Sequence, residues 1–145
     1  MDLTGKYVLV AGCGVSGVAA AQLLYKTGAR PVMFDTNTEL KKEDVLARFE
    51  EKCEVDFATG KVEEEMLKKL SLVVLSPGIP VDADFVEEFR KNNLPIWGEI
   101  ELAYQTAKPQ HYIAITGTNG KTTTTTLVGE FFRAAGRTTH VVGNI

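Results

Sequence analysis

Tyr7-Val8-Leu9-Val10-Ala11-Gly12-Cys13-Gly14-Val15-Ser16-Gly17 is the stretch that decides the fold. Its first five residues form a short apolar run that empties into glycine, the pattern of a buried parallel strand. The last six read GxGxxG and open a segment, Ser16 to Tyr25, whose Val18, Ala19, Ala21, Leu23 and Leu24 suit a helix packed closely on a sheet. Gly28 then stops that helix. The requirement for glycine is geometric: one residue makes the tight turn, one lets a diphosphate approach the backbone, and one lets helix and strand pack closely. The helix start offers free N–H groups and partial positive charge to phosphate oxygens. A second strand, Pro31 to Asp35, ends about twenty residues on with a carboxylate placed to accept hydrogen bonds from a ribose or base. The alternative is a tight βα turn with no ligand. The motif does not choose between NAD and a uridine diphosphate, which make similar demands at the phosphates.

Working outward, Glu39 to Lys52 predicts a charged helix with Val45, Leu46 and Phe49 as its apolar side. Glu54–Ala58 reads as a strand, Val62–Leu70 as a helix and Leu72–Leu75 as a strand. Ser76-Pro77-Gly78-Ile79-Pro80 is an abrupt exit turn. A helix over Asp84–Lys91 and a short strand over Leu94–Ile96 follow. Strands alternating with helices in this way predict an α/β fold, a Rossmann-like doubly wound parallel sheet with right-handed crossovers. Ligands in such sheets sit outside the carboxyl ends of the strands, so the Ser76–Pro80 turn is expected to border the same crevice as the glycine cluster. A rigid exit turn with no ligand is the plainer reading. Trp97-Gly98 marks the expected seam between residues 1–96 and 97–145. Past it, Glu99–Ala107 predicts a helix, Tyr112–Thr116 a strand, Lys121–Ala135 a helix stopped by Gly136, and Thr139–Val142 the start of another strand.

The second glycine cluster lies in Ile113-Ala114-Ile115-Thr116-Gly117-Thr118-Asn119-Gly120-Lys121-Thr122-Thr123. A strand, a glycine loop and a helix with Lys-Thr at the turn form a phosphate cradle. Backbone N–H groups surround nucleotide oxygens, the lysine meets the β/γ charge and a hydroxyl faces Mg²⁺. The run departs from GxxxxGK[ST], because Ile115 stands at the first glycine position and Gly117 supplies the turn. Gly120-Lys121-Thr122 nevertheless stays in register, and the segment predicts the start of a P-loop α/β ATPase domain. Lys121 is the expected point charge on the terminal phosphates, Thr122 the Mg²⁺ ligand, and Thr123 a donor near the helix start. Thr124, Thr125 and Thr126 are read as structural, since hydroxyls inside a helix usually return to a carbonyl one turn back.

Composition narrows the rest. A chain of 145 residues with 44% hydrophobic and 24% charged residues argues against disorder. A net charge of −3 leaves no electrostatic footprint for nucleic acid. Cys13 and Cys53 suggest neither a disulfide framework nor a zinc site. No apolar run approaches the ~20 residues that span a bilayer, and the N-terminus lacks a secretory pattern. The expectation is a reduced cytoplasmic protein without nucleic-acid or membrane partners. The charge runs at Lys41–Asp44, Glu50–Lys52 and Glu63–Glu65 read as solvated faces. His111 and His140 lack ligand-spaced partners, and Cys13 lacks a base to activate it. Trp97 is expected to pack at the seam.

Taken together, Gly12–Gly17, Asp35-Thr36, Ser76–Pro80, Gly98-Glu99-Ile100-Glu101-Leu102, Ile115–Thr123 and Gly143-Asn144-Ile145 make the chain resemble the Mur ligase family essentially from end to end. The resemblance implies that the first domain holds the UDP of a sugar-peptide substrate, with Gly14, Val15, Ser16, Gly17, Asp35, Thr36, Ser76, Pro77 and Gly78 at the matching positions. Asn144 matches a residue near the sugar-diphosphate. The position after Thr36, often Arg in the family, is Asn37 here and is left out of the site. Gly117, Thr118, Asn119, Gly120, Lys121, Thr122 and Thr123 match the ATP loop, with Lys121 and Thr122 as its catalytic pair and Mg²⁺ on Thr122.

The implied reaction is ATP-dependent amide formation through an acyl phosphate, adding D-glutamate to UDP-N-acetylmuramoyl-L-alanine in bacterial peptidoglycan precursor synthesis. The sister ligase that adds the third residue shares the Thr-Asn-Gly-Lys-Thr-Thr loop and is an alternative. A non-enzymatic NAD(H)-binding module is another. The family has three domains, so residues 1–145 are expected to bind nucleotide without turnover. The full-length enzyme is expected to be monomeric, whereas the unpaired edges of an unfinished sheet predict self-association of this stretch.

Overall fold

The computed structural model describes residues 2–107 and 111–143. By compactness the chain divides into two units, Met1–Lys108 and Pro109–Ile145.

The first unit is built around β1 (Tyr7–Ala11), whose Val8 to Ala11 are fully buried. It pairs in parallel with β2 (Arg30–Asp35) on one side and β4 (Leu70–Leu75) on the other. β3 (Asp56–Thr59) extends the sheet beyond β2 and β5 (Ile96–Gly98) extends it beyond β4, giving the parallel order β3-β2-β1-β4-β5. The doubly wound parallel sheet expected from the alternation of elements is thus observed. Side chains alternate between faces along each strand, and the two cores follow that alternation. Val8, Val10, Met33, Leu72 and Val74 pack with Val18, Ala21 and Leu24 of α1 (Val15–Lys26) and with Leu102 of α5 (Glu99–Thr106). Leu9, Val32, Phe34, Val73 and Leu75 face the other way, against Val86 and Phe89 of α4 (Asp84–Lys91). Phe34, Phe85 and Phe89 pack in tilted and edge-to-face pairs on that side, with ring centroids 5.4 to 6.4 Å apart. Each fully buried aliphatic or aromatic side chain contributes about 1.5–3 kcal/mol, so the two cores hold the helices against both faces of the sheet.

Two expected helices are shorter than their sequence pattern. The one spanning Glu39–Lys52 becomes α2 (Lys42–Leu46), because Arg48 and Phe49 turn to i→i−3 bonds on Val45 and Leu46. The one spanning Val62–Leu70 becomes α3 (Glu64–Leu67), because β4 takes Leu70 as the partner of Tyr7. The last strand lies at Ile96–Gly98 rather than Leu94–Ile96, so Trp97 is a sheet residue paired with Val74 and packed on the α1 side of the core. With α5 packed against α1 as well, the first compact unit runs past the seam expected at Trp97.

In the second unit the described regular element is α6 (Lys121–Ala134), which Gly136 follows in the left-handed region. The strands expected at 112–116 and 139–142 are not formed. An apolar β-branched run becomes a strand only when a neighbour takes up its backbone groups, and the second unit shows no sheet among its described residues. Instead, the 139–142 segment runs against α6, where a Cβ on Gly129 would lie 2.3 Å from a Val141 methyl.

Candidate functional site

A crevice opens where the strand order reverses, above the carboxyl ends of β1 and β4. The loop after β1 is stitched to both neighbours: Gly12 N–H donates to Phe34 O at 2.8 Å, and Ser76 N–H donates to Ala11 O at 3.1 Å. Gly12 has φ +99°, and a Cβ there would come within 2.9 Å of Ser76 Oγ. The third glycine has a harder constraint, since a Cβ on Gly17 would lie 1.9 Å from Gly12 O. Helix α1 therefore rests its first turn directly on the loop backbone. Gly14 is different. It precedes α1 as its N-cap, and no heavy atom lies within 4 Å of a Cβ built there. No side chain caps α1 and its first turn holds no acidic residue, so its leading N–H groups, near Val15, Ser16 and Gly17, stay available to an anion.

Asp35 at the end of β2 fastens this loop. Its Oδ2 accepts from Cys13 N–H at 3.1 Å and its Oδ1 from Asn37 N–H at 3.0 Å. A carboxylate offers about four lone-pair sites, so both oxygens can still accept from a ligand hydroxyl or N–H. Beside Asp35 lies a cleft of about 230 Å³, with Gly12 at the base and Phe34, Asp35 and Thr36 from the end of β2. Gly78, Ile79 and Pro80 close it from the turn after β4, and Phe85 closes it from α4. The cleft brings Asp35, Thr36 and Gly78 together. Gly14, Val15 and Ser16 stand at the start of α1 outside its lining, and Pro77 also lies outside. Ser76 is engaged elsewhere: its hydroxyl donates to Glu99 Oε1 at 2.9 Å.

Motif reading passed over Arg48 and the aromatic wall of Phe34 and Phe85, and it assigned no role to Glu99 within the Gly98–Leu102 block. Arg48 Nη1 donates to Cys13 O at 3.0 Å. Neither long-range contact leaves a local signal, because the partners lie 23 and 35 residues apart in the chain.

Cys13 is buried under this loop, and burial, with the Asp35 carboxylate adding to it, pushes its thiol from 9.0 up to about 12. It is therefore inert as a nucleophile at neutral pH, in line with the structural role read from the sequence. An unfolded chain would ionise this thiol near pH 9, whereas the folded protein holds the proton until about 12. Its stabilising effect is thus complete below pH 9 and lost between 9 and about 12. Unfolding monitored across that interval should show a decline that Cys13→Ala flattens. A disulfide reagent at neutral pH should modify the half-buried Cys53 well before Cys13.

The loop before α6 has its own geometry. Gly120, at φ +74°, turns the chain through the left-handed region into the helix, a conformation that glycine adopts without strain. Lys121 Nζ folds over the loop, donating to Gly117 O at 2.5 Å and Thr118 O at 3.2 Å. Thr118, Asn119, Thr122 and Thr123 are exposed around it. Thr125 and Thr126 hydroxyls return to Lys121 O and Thr122 O at 2.7 and 2.9 Å, the structural role expected for them. Among the described residues no cluster of three His, Cys, Asp or Glu side chains is placed to hold a metal. Asn144 lies outside the described residues. No helix among them is long and apolar enough to cross a membrane.

The strand order and the glycine loop on its crevice define a Rossmann-like α/β domain. Residues 6–98 match the sequence model of the Mur ligase MurD-like N-terminal domain, and the chain belongs to that family. Among curated proteins it is 45% identical over its whole length to the UDP-N-acetylmuramoylalanine–D-glutamate ligase of Lachnoclostridium phytofermentans. It is 47% identical to the enzymes of the same name from Lachnospira eligens and Caldanaerobacter subterraneus. In each case the chain spans 32% of the relative's length. Among solved structures, 91% of it superposes on 27% of a murein peptide ligase from Psychrobacter arcticus, with a TM-score of 0.57 and 24% identity. It superposes to the same extent on a type C pseudomurein peptide ligase from Methanothermus fervidus, with a TM-score of 0.56 and 22% identity. These likenesses establish the shared fold, and the family resemblance drawn from the motifs is borne out.

Proposed function

We propose that this chain carries the UDP-binding domain, which with α5 extends past the seam expected at Trp97, and the beginning of the ATP-binding domain of an ATP-dependent ligase. That ligase adds D-glutamate to UDP-N-acetylmuramoyl-L-alanine for peptidoglycan precursor synthesis. The observation that carries this reading is the crevice at the strand reversal, with an uncapped helix start beside a small cleft of one carboxylate and two aromatic rings. A diphosphate suits the N–H groups at Gly14, Val15, Ser16 and Gly17. A flat heterocycle suits the wall of Phe34, Ile79 and Phe85, and Asp35 and Thr36 offer acceptors to its polar edge or to ribose. The full identity-bearing alignment with D-glutamate ligases supports the substrate assignment.

Residues 117–123 would cradle the β and γ phosphates of ATP. Lys121 would exchange its loop carbonyls for phosphate oxygens, and Thr122 would hold Mg²⁺, which supplies charge neutralisation at those oxygens when bound. The substrate carboxylate attacks the γ-phosphorus, and the bond to the β-phosphate oxygen breaks to release ADP. The D-glutamate amine then attacks the acyl carbon of the resulting acyl phosphate, expelling phosphate and losing a proton. Residues 1–145 alone would bind uridine nucleotide without completing this cycle.

A calorimetric comparison of UDP with NADH tests the assignment. Saturable binding of UDP and none of NADH is expected. Binding of NADH in preference, or of neither, would overturn it. Phosphate release by residues 1–145 that depends on both cognate substrates would overturn the absence of turnover.

A further inference from the structure

We infer that Arg48 is a positioning residue for the diphosphate, a cation delivered from the end of α2 that holds the Cys13 peptide and balances the charge of Asp35. This rests on the UDP reading above. Cys13 is held on both sides: the Asp35 carboxylate takes the N–H of the Gly12–Cys13 peptide, and the Arg48 guanidinium gives to the C=O of the Cys13–Gly14 peptide. The thiol is buried in the α1-side core, which leaves the Cys13–Gly14 peptide as the part that Arg48 orients. Its orientation sets the direction of the next amides, those of Gly14 and the first turn of α1, which face the proposed phosphates.

Electrostatics points the same way. Asp35 puts a negative charge against the loop that is meant to receive a ligand of at least two more. The oppositely charged group bonded to the same residue is Arg48. Its origin is also fixed by the fold: Val45 of α2 is fully buried in the α1-side core, and Arg48 N–H returns to Val45 O at 3.1 Å. The guanidinium has five donors, and the bond to Cys13 O uses one nitrogen.

The test is a titration of the parent, Arg48→Gln and Arg48→Lys with UDP and with uridine, at low and high salt, alongside thermal unfolding. Arg48→Gln should weaken UDP about tenfold at low salt while moving uridine by less than about twofold, the size expected for one charge-assisted contact. Arg48→Lys should recover part of the UDP affinity, because it restores the charge without the planar fork. The loss should shrink at high salt. Equal weakening of UDP and uridine, or no change in either, would overturn the inference while leaving the UDP assignment standing. A parent that binds UDP no better than uridine would overturn the diphosphate assignment itself and this inference with it.

Discussion

Gly17→Ala should cost the first unit about 3 kcal/mol, the upper end of what overpacking costs, and lower its melting temperature by about 12–24 °C. The added Cβ would stand 1.9 Å from Gly12 O, and the obstacle is backbone rather than a side chain that can swing away. Relief requires either lifting α1 from the sheet, which exposes Val18, Ala21 and Leu24, or moving the Gly12–Cys13 peptide, which breaks the Cys13 N–H bond to Asp35. Gly14→Ala is the matched control. Gly14 has φ −75° and open space where a Cβ would go, so its melting temperature should stay near the parent's. UDP affinity should fall in that variant, since the new methyl group stands where phosphate would approach α1. Thermal unfolding by circular dichroism, together with UDP titration, separates the two effects. A Gly17→Ala protein melting with the parent would refute the close-packing account.

Lys121→Ala, made in the full-length ligase, is expected to reduce ATP-dependent turnover by about 10²–10³-fold, the range found when one preorganised donor is removed from a reacting oxyanion. The fold should not suffer. Lys121 is exposed, and its Nζ bonds reach only the carbonyls of Gly117 and Thr118 in its own loop. The rate of ADP formation that requires both the nucleotide-sugar substrate and D-glutamate is the proper readout. Activity within tenfold of the parent, with unchanged ATP affinity, would remove Lys121 from the proposed phosphate site.

Legibility in the sequence followed the range of the interactions. Tyr7–Ala11 and Asp84–Lys91 were readable to the residue, because an unbroken apolar run and a bounded amphipathic segment each carry their own pattern. The glycine loop was readable too, since its constraint is local geometry. Helix α2 was not, because its early end depends on i→i−3 closure at Val45 and Leu46, which residues of good helical pattern conceal. The segments 112–116 and 139–142 carry strand composition, yet a strand exists only with a ladder beside it. In the candidate site, Asp35 and Gly78 were found by position after a strand, and Thr36 only through the family resemblance. Arg48 was invisible, and Glu99, legible only inside a motif block, showed no role, since each acts on a residue far away in the chain and only the closed sheet brings the partners together.

The position of β1 at the middle of the sheet has a kinetic consequence. It comes first in the chain, but one of its flanks is filled by β2 and the other only by β4, where Val8 meets Leu72. Closing that distant pairing precedes any reward from it, which places the fold among the slower topologies. During synthesis, the strand from Tyr7 to Ala11 must wait until Leu75 has left the ribosome before both its edges are covered. The glycine loop that follows β1 borrows its shape from Ser76 and Phe34, so the earliest nucleotide motif to be made is among the last to become competent.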